Sequence, residues 1–425
     1  MRISRLAAGV ACLFAATPLA AQSKALRFGA VVDGSGRVVP RGVVIVSANR
    51  IVRVAQPGDP LPGDVEVIDL SRYTAIPGLI DVHTHMTYYW DSTSGTNPWR
   101  QPQRTPAQTV QLARANALRT LETGVTTVRD LGASNYTDIA LRDSINAAGW
   151  IGPRMFVAGY GLQRARPPYR PNTDTTRTQR GRIFDISQIP IAVKQQVDAG
   201  ADYIKMYGST GTGADVSGTE TFSYDEMHAA VDAAKALGKR IAIHSYGPVG
   251  GRDAVRAGAT TLEHAIDLDD STLAEMARRG IYYVPTIDHN RFYAEYRRDF
   301  QYTDQQAAGL DSFRLLNMET ARRAFQAGVK LGMGSDAVFQ MFGQNTRELG
   351  WFVKIGMTPG QALATATVNG AAILGMEQTL GRIAPGYLAD IVAVDGDPLA
   401  DIDVVINKVK WVMKDGRVVV DKTHP

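Results

Sequence analysis

The sequence predicts an α/β fold, a TIM-type (β/α)8 barrel with a small β-sandwich domain assembled from both termini. Three observations lead there. Residues 76–377 alternate short apolar runs with helical patterns, as βαβ units and a parallel sheet require. Residues 23–75 and 378–425 share a strand-and-turn texture on either side of that stretch. Several of the apolar runs in the middle end in a polar residue, usually histidine, where core packing alone would favour another aliphatic.

Composition narrows the function classes. The 425 residues are 44% hydrophobic and 21% charged, so wholesale disorder is excluded. Lys+Arg 46 against Asp+Glu 42 is too balanced for a nucleic-acid binder that relies on phosphate neutralisation. The single cysteine, Cys12, excludes a disulfide scaffold and a thiolate zinc site. Residues 1–22 read as a signal peptide: Arg2 and Arg5 precede the apolar run Leu6–Ala16, and the small residues Ala20-Ala21 follow. Cleavage is expected near Ala21, giving a secreted or periplasmic protein, with no later segment apolar enough to span a membrane.

In the sandwich segments, Val43–Val46 and Ile51–Val54 flank a polar turn, and Val409–Met413 and Arg417–Val420 are joined through Asp415-Gly416, a strong hairpin signal. Eight barrel strands are expected at Ala75–His85, Thr126–Leu131, Arg154–Gly159, Asp202–Tyr207, Arg240–Tyr246, Thr260–Ala265, Ile281–Ile287 and Val329–Asp336. Between them, Pro106–Thr123 reads as an amphipathic helix stopped by Gly124. Ser223 opens another through a capping box with Glu226, and Thr358-Pro359 starts a helix running to about Leu374.

A barrel of this type carries its chemistry at the C-terminal ends of its strands. His83, His85, His244 and His264 fall there, and Asp336 ends the eighth run. His83 and His85, two apart on a strand, point to one face, and paired imidazoles suit a divalent metal such as zinc. Lys205 lies in the otherwise apolar and aromatic strand Asp202–Tyr207. It is either a lysine snorkelling out at the sheet end or a buried amine with a depressed pKa, able to capture carbon dioxide as a carbamate.

These residues, with Pro77-Gly78-Leu79-Ile80-Asp81-Val82-His83-Thr84-His85, Gly334-Ser335-Asp336 and Gly381-Arg382-Ile383-Ala384-Pro385-Gly386, give the chain a close resemblance to the amidohydrolase superfamily, in particular its binuclear, carboxylated-lysine group. The resemblance extends over nearly the whole mature chain. It implies that His83, His85 and Asp336 hold one divalent ion, most readily Zn2+, that His244 and His264 hold a second, and that carboxylated Lys205 bridges them. It also implies that a metal-bridging hydroxide attacks the substrate, with Asp336 taking its proton and delivering it to the leaving nitrogen.

Within the superfamily the chain is most similar to Xaa-Pro dipeptidase and carboxypeptidase-like enzymes and to ochratoxin-degrading amidases. The implied substrate is therefore an N-acyl amino acid or dipeptide-like amide, with ochratoxin-type amides among the candidates. A lactone, carbamate or phosphotriester is the alternative for the same site; a non-catalytic scaffold on this fold normally lacks the ligand set retained here. The partner is a small molecule, and assembly into a homo-oligomer is left open. For substrate contact the sequence offers four side chains. Trp90 lies among the aromatics of the long loop 86–105, Tyr246 stands two residues past His244, and His289 follows the seventh strand. Arg164 lies after the third strand, where many relatives have a glycine- and histidine-rich segment.

Overall fold

All six residues of Leu79–Thr84 are buried, as expected of a parallel barrel strand with helices on one side and the barrel interior on the other. The computed structural model describes residues 23–147, 149–170, 178–211 and 215–424, so the expected leader over residues 1–22 lies outside the described residues. Leu79–Thr84, Val125–Asp130 and Arg154–Val157 form one parallel run. Tyr203–Tyr207, Arg240–Ser245, Thr261–His264 and Tyr282–Val284 form a second. The two runs meet where the Asp202 N–H donates to the Val157 carbonyl at 2.8 Å and Leu162 bridges Met206.

The other seam departs from expectation. Val329–Asp336 is not a regular strand but an extended segment that bonds both neighbours. Gly332 N–H donates to the Tyr283 carbonyl at 2.9 Å, while Val82 N–H donates to Met333 at 2.9 Å and Asp336 N–H to His83 at 2.7 Å. The left-handed φ of 51° at Asp336 turns the chain out of the pleat just where a ladder would continue. With this seam the barrel closes.

Two further expectations are corrected. The first run, Ala75–His85, is two strands: Glu66–Pro77 belongs to the terminal sheet and Leu79–Thr84 to the barrel. The change falls at Gly78, where a Cβ would lie 2.3 Å from Thr126 Oγ1 and 2.8 Å from Asp390 Cβ. The helix expected from Thr358 to Leu374 is broken into Pro359–Thr365 and Val368–Leu374. The carbonyls at the break are committed elsewhere, since Ala366 accepts from Ile80 N–H at 2.7 Å and Thr365 from Met333 N–H at 3.1 Å. The capping boxes at Thr105, Ser223 and Thr358 are all formed.

The termini build one sheet around the joint between Ile391–Val394 and Glu66–Pro77, which pair antiparallel. Asp415 and Gly416, with φ of 49° and 72°, form the expected tight hairpin turn. The inner face encloses one apolar cluster that includes Leu26, Phe28, Ile51, Ile391, Trp411 and Met413. Sheet and barrel are joined by Arg154, which starts the third barrel strand and donates to Thr127 Oγ1 at 2.9 Å, to Asp390 at 2.6 Å and to Asp415. Removing one partner of a largely buried ion pair strands the other charges. Arg154→Ala is therefore expected to lower stability by about 3–5 kcal/mol, seen as a fall in the thermal unfolding midpoint, with Asp390→Ala having a similar effect.

Candidate active site

Alternation along Tyr203–Tyr207 sends Ile204 and Met206 outward into the main apolar cluster and leaves Tyr203, Lys205 and Tyr207 on the opposite, inner face. Pairing sets Tyr207 beside His244, and Ser245 beside His264. Four imidazoles therefore gather at one end of the barrel. The ring centroids of His83 and His264 are 4.9 Å apart, those of His244 and His264 4.6 Å, and those of His83 and His85 5.6 Å. Asp336 reaches into the same group, with Oδ1 3.2 Å from His85 Nε2 and 3.5 Å from His83 Nε2. Lys205, almost fully buried, lines the same cavity of about 130 Å³, and no carboxylate among the described residues lies within ion-pairing distance of its Nζ.

The rings are held from behind. His83 Nδ1 bonds Glu263 Oε2 at 2.7 Å, His85 Nδ1 the Gly132 carbonyl at 2.9 Å, and His264 Nδ1 Thr286 Oγ1 at 2.7 Å. Each of these contacts commits one ring nitrogen and frees Nε2 as a lone-pair donor, the usual outer support of a metal-binding histidine. His244 Nε2 is buried with no hydrogen-bond partner among the described residues, an orphan that a cation or its ligand would satisfy. Donor atoms of His83, His264 and Asp336 all lie within 4.8 Å of one another. The donor set therefore fits a divalent cation of the imidazole- and carboxylate-binding kind.

Electrostatics agree with that fit at three of the four rings; at His85 burial is outweighed by Asp336, and the ring is raised. Burial, reinforced by Lys205, lowers His83 to about 4 and holds His244 well below the usual histidine range, so both rings are neutral as ligation demands. His264 is likewise held low, by burial and by His244 and His83. Burial lowers the Lys205 amine to about 8, so a far larger fraction than for an ordinary lysine is unprotonated near neutrality. Burial alone would raise Asp336, but His289, His83 and His85 outweigh it and keep the carboxyl well below its ordinary value.

His289 belongs to this group. Its Nδ1 donates to the Asp336 carbonyl at 2.8 Å, which fixes the backbone of the aspartate, and its Nε2 lies 3.3 Å from Asp336 Oδ2. Tyr246 stacks on His244 at 4.8 Å and lines the cavity. Two expectations are not met. Trp90 packs into the main apolar cluster with its indole N–H on Thr96 Oγ1 at 2.9 Å; the loop presents Tyr88 and Trp99 to the cavity instead. Arg164 lines a neighbouring chamber, but its guanidinium is spent on Glu226, on the Thr221 carbonyl at 3.0 Å and on the Phe184 carbonyl at 3.5 Å.

The residues that support these ligands, Glu263, Arg129 and Asp81, lie outside the site expected from the sequence. Glu263 takes Arg129 at 2.9 Å as well as His83, and Arg129 also holds the Val82 carbonyl and Thr261. Asp81 accepts from Ser335 N–H at 2.9 Å, Ser335 Oγ at 2.5 Å and Asn345 Nδ2 at 3.0 Å, fixing the loop that delivers Asp336. The signal was present in the form of opposite charges, Arg129 and Glu263, inside fully buried core strands.

The sequence model of the amidohydrolase family matches residues 74–419. Ochratoxinase of Aspergillus niger is 27% identical over 413 residues, covering 88% of this chain and 82% of its own. A solved Xaa-Pro dipeptidase with methionine bound in its active site superposes with a TM-score of 0.84 at 30% identity, covering 93% of this chain and 99% of its own. A solved prolidase complexed with N-methylphosphonate-L-proline gives 0.83 at 27% identity, covering 94% and 100%.

Glu263 offers a direct check on this arrangement. Glu263→Gln removes the anion from His83 and Arg129, and zinc affinity in competition with a chromophoric chelator is expected to fall about 10–100-fold. Arg129 and His83 overcome the effect of burial and hold Glu263 at about 2, below its unfolded value. The stabilisation is therefore present above the ordinary glutamate range and disappears as pH falls toward 2, so the midpoint gap between wild type and variant should narrow on acidification.

Proposed function

Because the chain belongs to the amidohydrolase family and is a hydrolase of carbon–nitrogen bonds, we propose that it cleaves the amide bond of an N-acyl amino acid or dipeptide-like substrate, ochratoxin-type amides included. The observation that carries the reading is the convergence of His83, His85, His244, His264, Lys205 and Asp336 on one buried cavity. Support for the substrate class comes from the relatives, which include an ochratoxinase and a Xaa-Pro dipeptidase.

In this reading His83, His85 and Asp336 would hold one divalent ion, His244 and His264 a second, and carboxylated Lys205 would join them. Such ions, when bound, polarise a carbonyl oxygen and make water nucleophilic at neutral pH. The Lys205 amine, lowered to about 8, is unprotonated often enough to add to carbon dioxide, losing one proton as the carbamate forms. Asp336 is kept ionised and therefore ready to accept a proton on its carboxylate, with His289 Nδ1 holding its backbone carbonyl at 2.8 Å. Returned to the amide nitrogen, that proton turns a poor leaving group into a neutral amine. Tyr246, stacked on His244, would lie beside the bound carbonyl, where its hydroxyl can face the developing oxyanion. Residues 1–22 act in this reading as an export leader removed near Ala21, which N-terminal sequencing of the mature protein would reveal.

Chelation should abolish hydrolysis of chromogenic N-acyl amino acids, and added zinc should restore it. Asp336→Asn is expected to lower kcat by about 10²–10⁴-fold while much of the bound metal is retained, as measured by elemental analysis beside steady-state kinetics. Normal turnover in that variant would show that the proton is handled elsewhere.

A further inference from the structure

The small histidine-lined cavity does not stand alone. Tyr88, Tyr207 and Gly211 line both it and a larger chamber of about 580 Å³. Shared walls make the chamber the adjoining space for whatever part of a substrate extends beyond the reacting amide on that side. Three arginines line it, Arg164, Arg166 and Arg182, against one carboxylate among the described lining residues, Asp215, which has contacts of its own. Arg164 is already neutralised by Glu226. Arg166 and Arg182 have no ion pair or side-chain hydrogen bond to any described residue, so among the described lining residues positive charge is in excess.

Arg182 is the better placed of the two. It sits on the short strand Arg182–Ile183, which pairs in parallel with Gln163–Arg164 on the chamber wall. Gln163 N–H donates to the Gly181 carbonyl at 3.0 Å and Ala165 N–H to Ile183 at 2.9 Å. At Gly181, with φ of 72°, a Cβ would meet the Gly161 carbonyl at 2.6 Å, so only glycine permits this close approach. The guanidinium carbon lies 3.5 Å from the centroid of the half-exposed Tyr169 ring. Stacked this way, one flat face of the guanidinium is covered, and its N–H groups are left at the edge, where a carboxylate binds in the same plane. The group is thus held in place before any ligand arrives, which reduces the ordering penalty of binding.

We propose that Arg182, assisted by Arg166, is the specificity-determining anchor for a free carboxylate on the substrate, so that the preferred amides are those whose amino-acid half keeps its acid group in the large chamber. The assignment rests on the amide-hydrolase reading above and deepens it by naming the group read away from the scissile bond. It also transfers to Arg182 the substrate contact that the sequence suggested for Arg164, whose guanidinium is spent within the protein.

The test compares N-benzoyl-L-phenylalanine with N-(2-phenylethyl)benzamide, the same molecule without its carboxylate. Each is titrated calorimetrically into metal-loaded wild type, Arg182→Gln and Arg182→Lys, with KM and kcat recorded wherever a probe is turned over. Wild type is expected to favour the acid by about 10–100-fold, the range for hydrogen bonds to a charged group. Arg182→Gln should erase most of that preference through KM or Kd, leaving kcat and the affinity for the neutral probe nearly unchanged. Arg182→Lys, which keeps the charge but loses the planar fork, should recover part of it. Equal affinity of wild type for the two probes overturns the assignment, as does a preference that survives Arg182→Gln. If the metal-loaded enzyme leaves the acid intact, the amide-hydrolase reading falls, and the affinity ratio still decides the role of Arg182.

Discussion

The buried chain Arg129–Glu263–His83 is the constraint on which the rest of the site depends. All three side chains are almost completely withdrawn from water, and an isolated charge there would be prohibitive, so each is tolerable only because the next is present. Arg129 binds the Val82 carbonyl on one strand and Thr261 and Glu263 on another, which ties the strand bearing His83 to the strand bearing His264. Glu263 then fixes the His83 ring through Nδ1. The guanidinium lies over Tyr203, 4.6 Å from the ring centroid, so the same strand that carries Lys205 supplies its apolar floor. One charge network thus sets the relative positions of three strands immediately beneath the histidines.

That network also explains the mixture of protonation states above it. Imidazoles serve a cation only when neutral, and burial achieves this at His83, His244 and His264. At Asp336 the opposite outcome holds, because the surrounding histidines favour the carboxylate more strongly than burial disfavours it. Neutral rings and an ionised acid in the same small cavity follow from one fact: the site is dry, so the sign and distance of each neighbour decide its charge. Lys205 is drawn into the same balance, pulled down by burial and by Arg129 and held up by Glu263 and Asp336.

The barrel, the split terminal sheet and the convergence of the histidines with Lys205 and Asp336 were legible because each rests on local pattern, an apolar run ended by a polar residue. What escaped detection depends on departures from that pattern. Strand alternation would send Glu263 and His264 to opposite faces, yet His264 has φ of 73° and both side chains reach His83. Aromatic content alone could not sort Trp90 from Trp99 on one loop; the sorting comes from Thr96, which accepts the Trp90 N–H, and from Phe339, against which Trp99 packs edge-on at 5.2 Å. Arg164 was misread for a similar reason. Its partner Glu226 is also the acceptor of the Ser223 capping box, and that one carboxylate serves both purposes.

The irregular backbone at this end of the barrel follows from the same demands. His264, Thr286 and Asp336 all have positive φ, and they form a connected set: Thr286 bonds His264, while Asp336 bonds the His289 that closely follows Thr286. A β-branched threonine in the left-handed region is costly by about 1–3 kcal/mol and persists only where its surroundings over-determine it. Here they do. Glu348, buried and pushed up to about 8 by the loss of water, accepts the Ile287 and Asp288 N–H groups at 2.9 Å each, which fixes the turn directly after Thr286. On the other side Gly334 packs so closely that a Cβ would lie 2.5 Å from Val284 and 2.7 Å from His83. The eighth segment therefore surrenders regular strand geometry so that Asp336 can turn inward, and the hydrogen bonds to Asp81 and Glu348 compensate for the loss. A barrel optimised only for stability would have kept its eighth strand straight, and Asp336 could not then have met His83, His85 and His289 together.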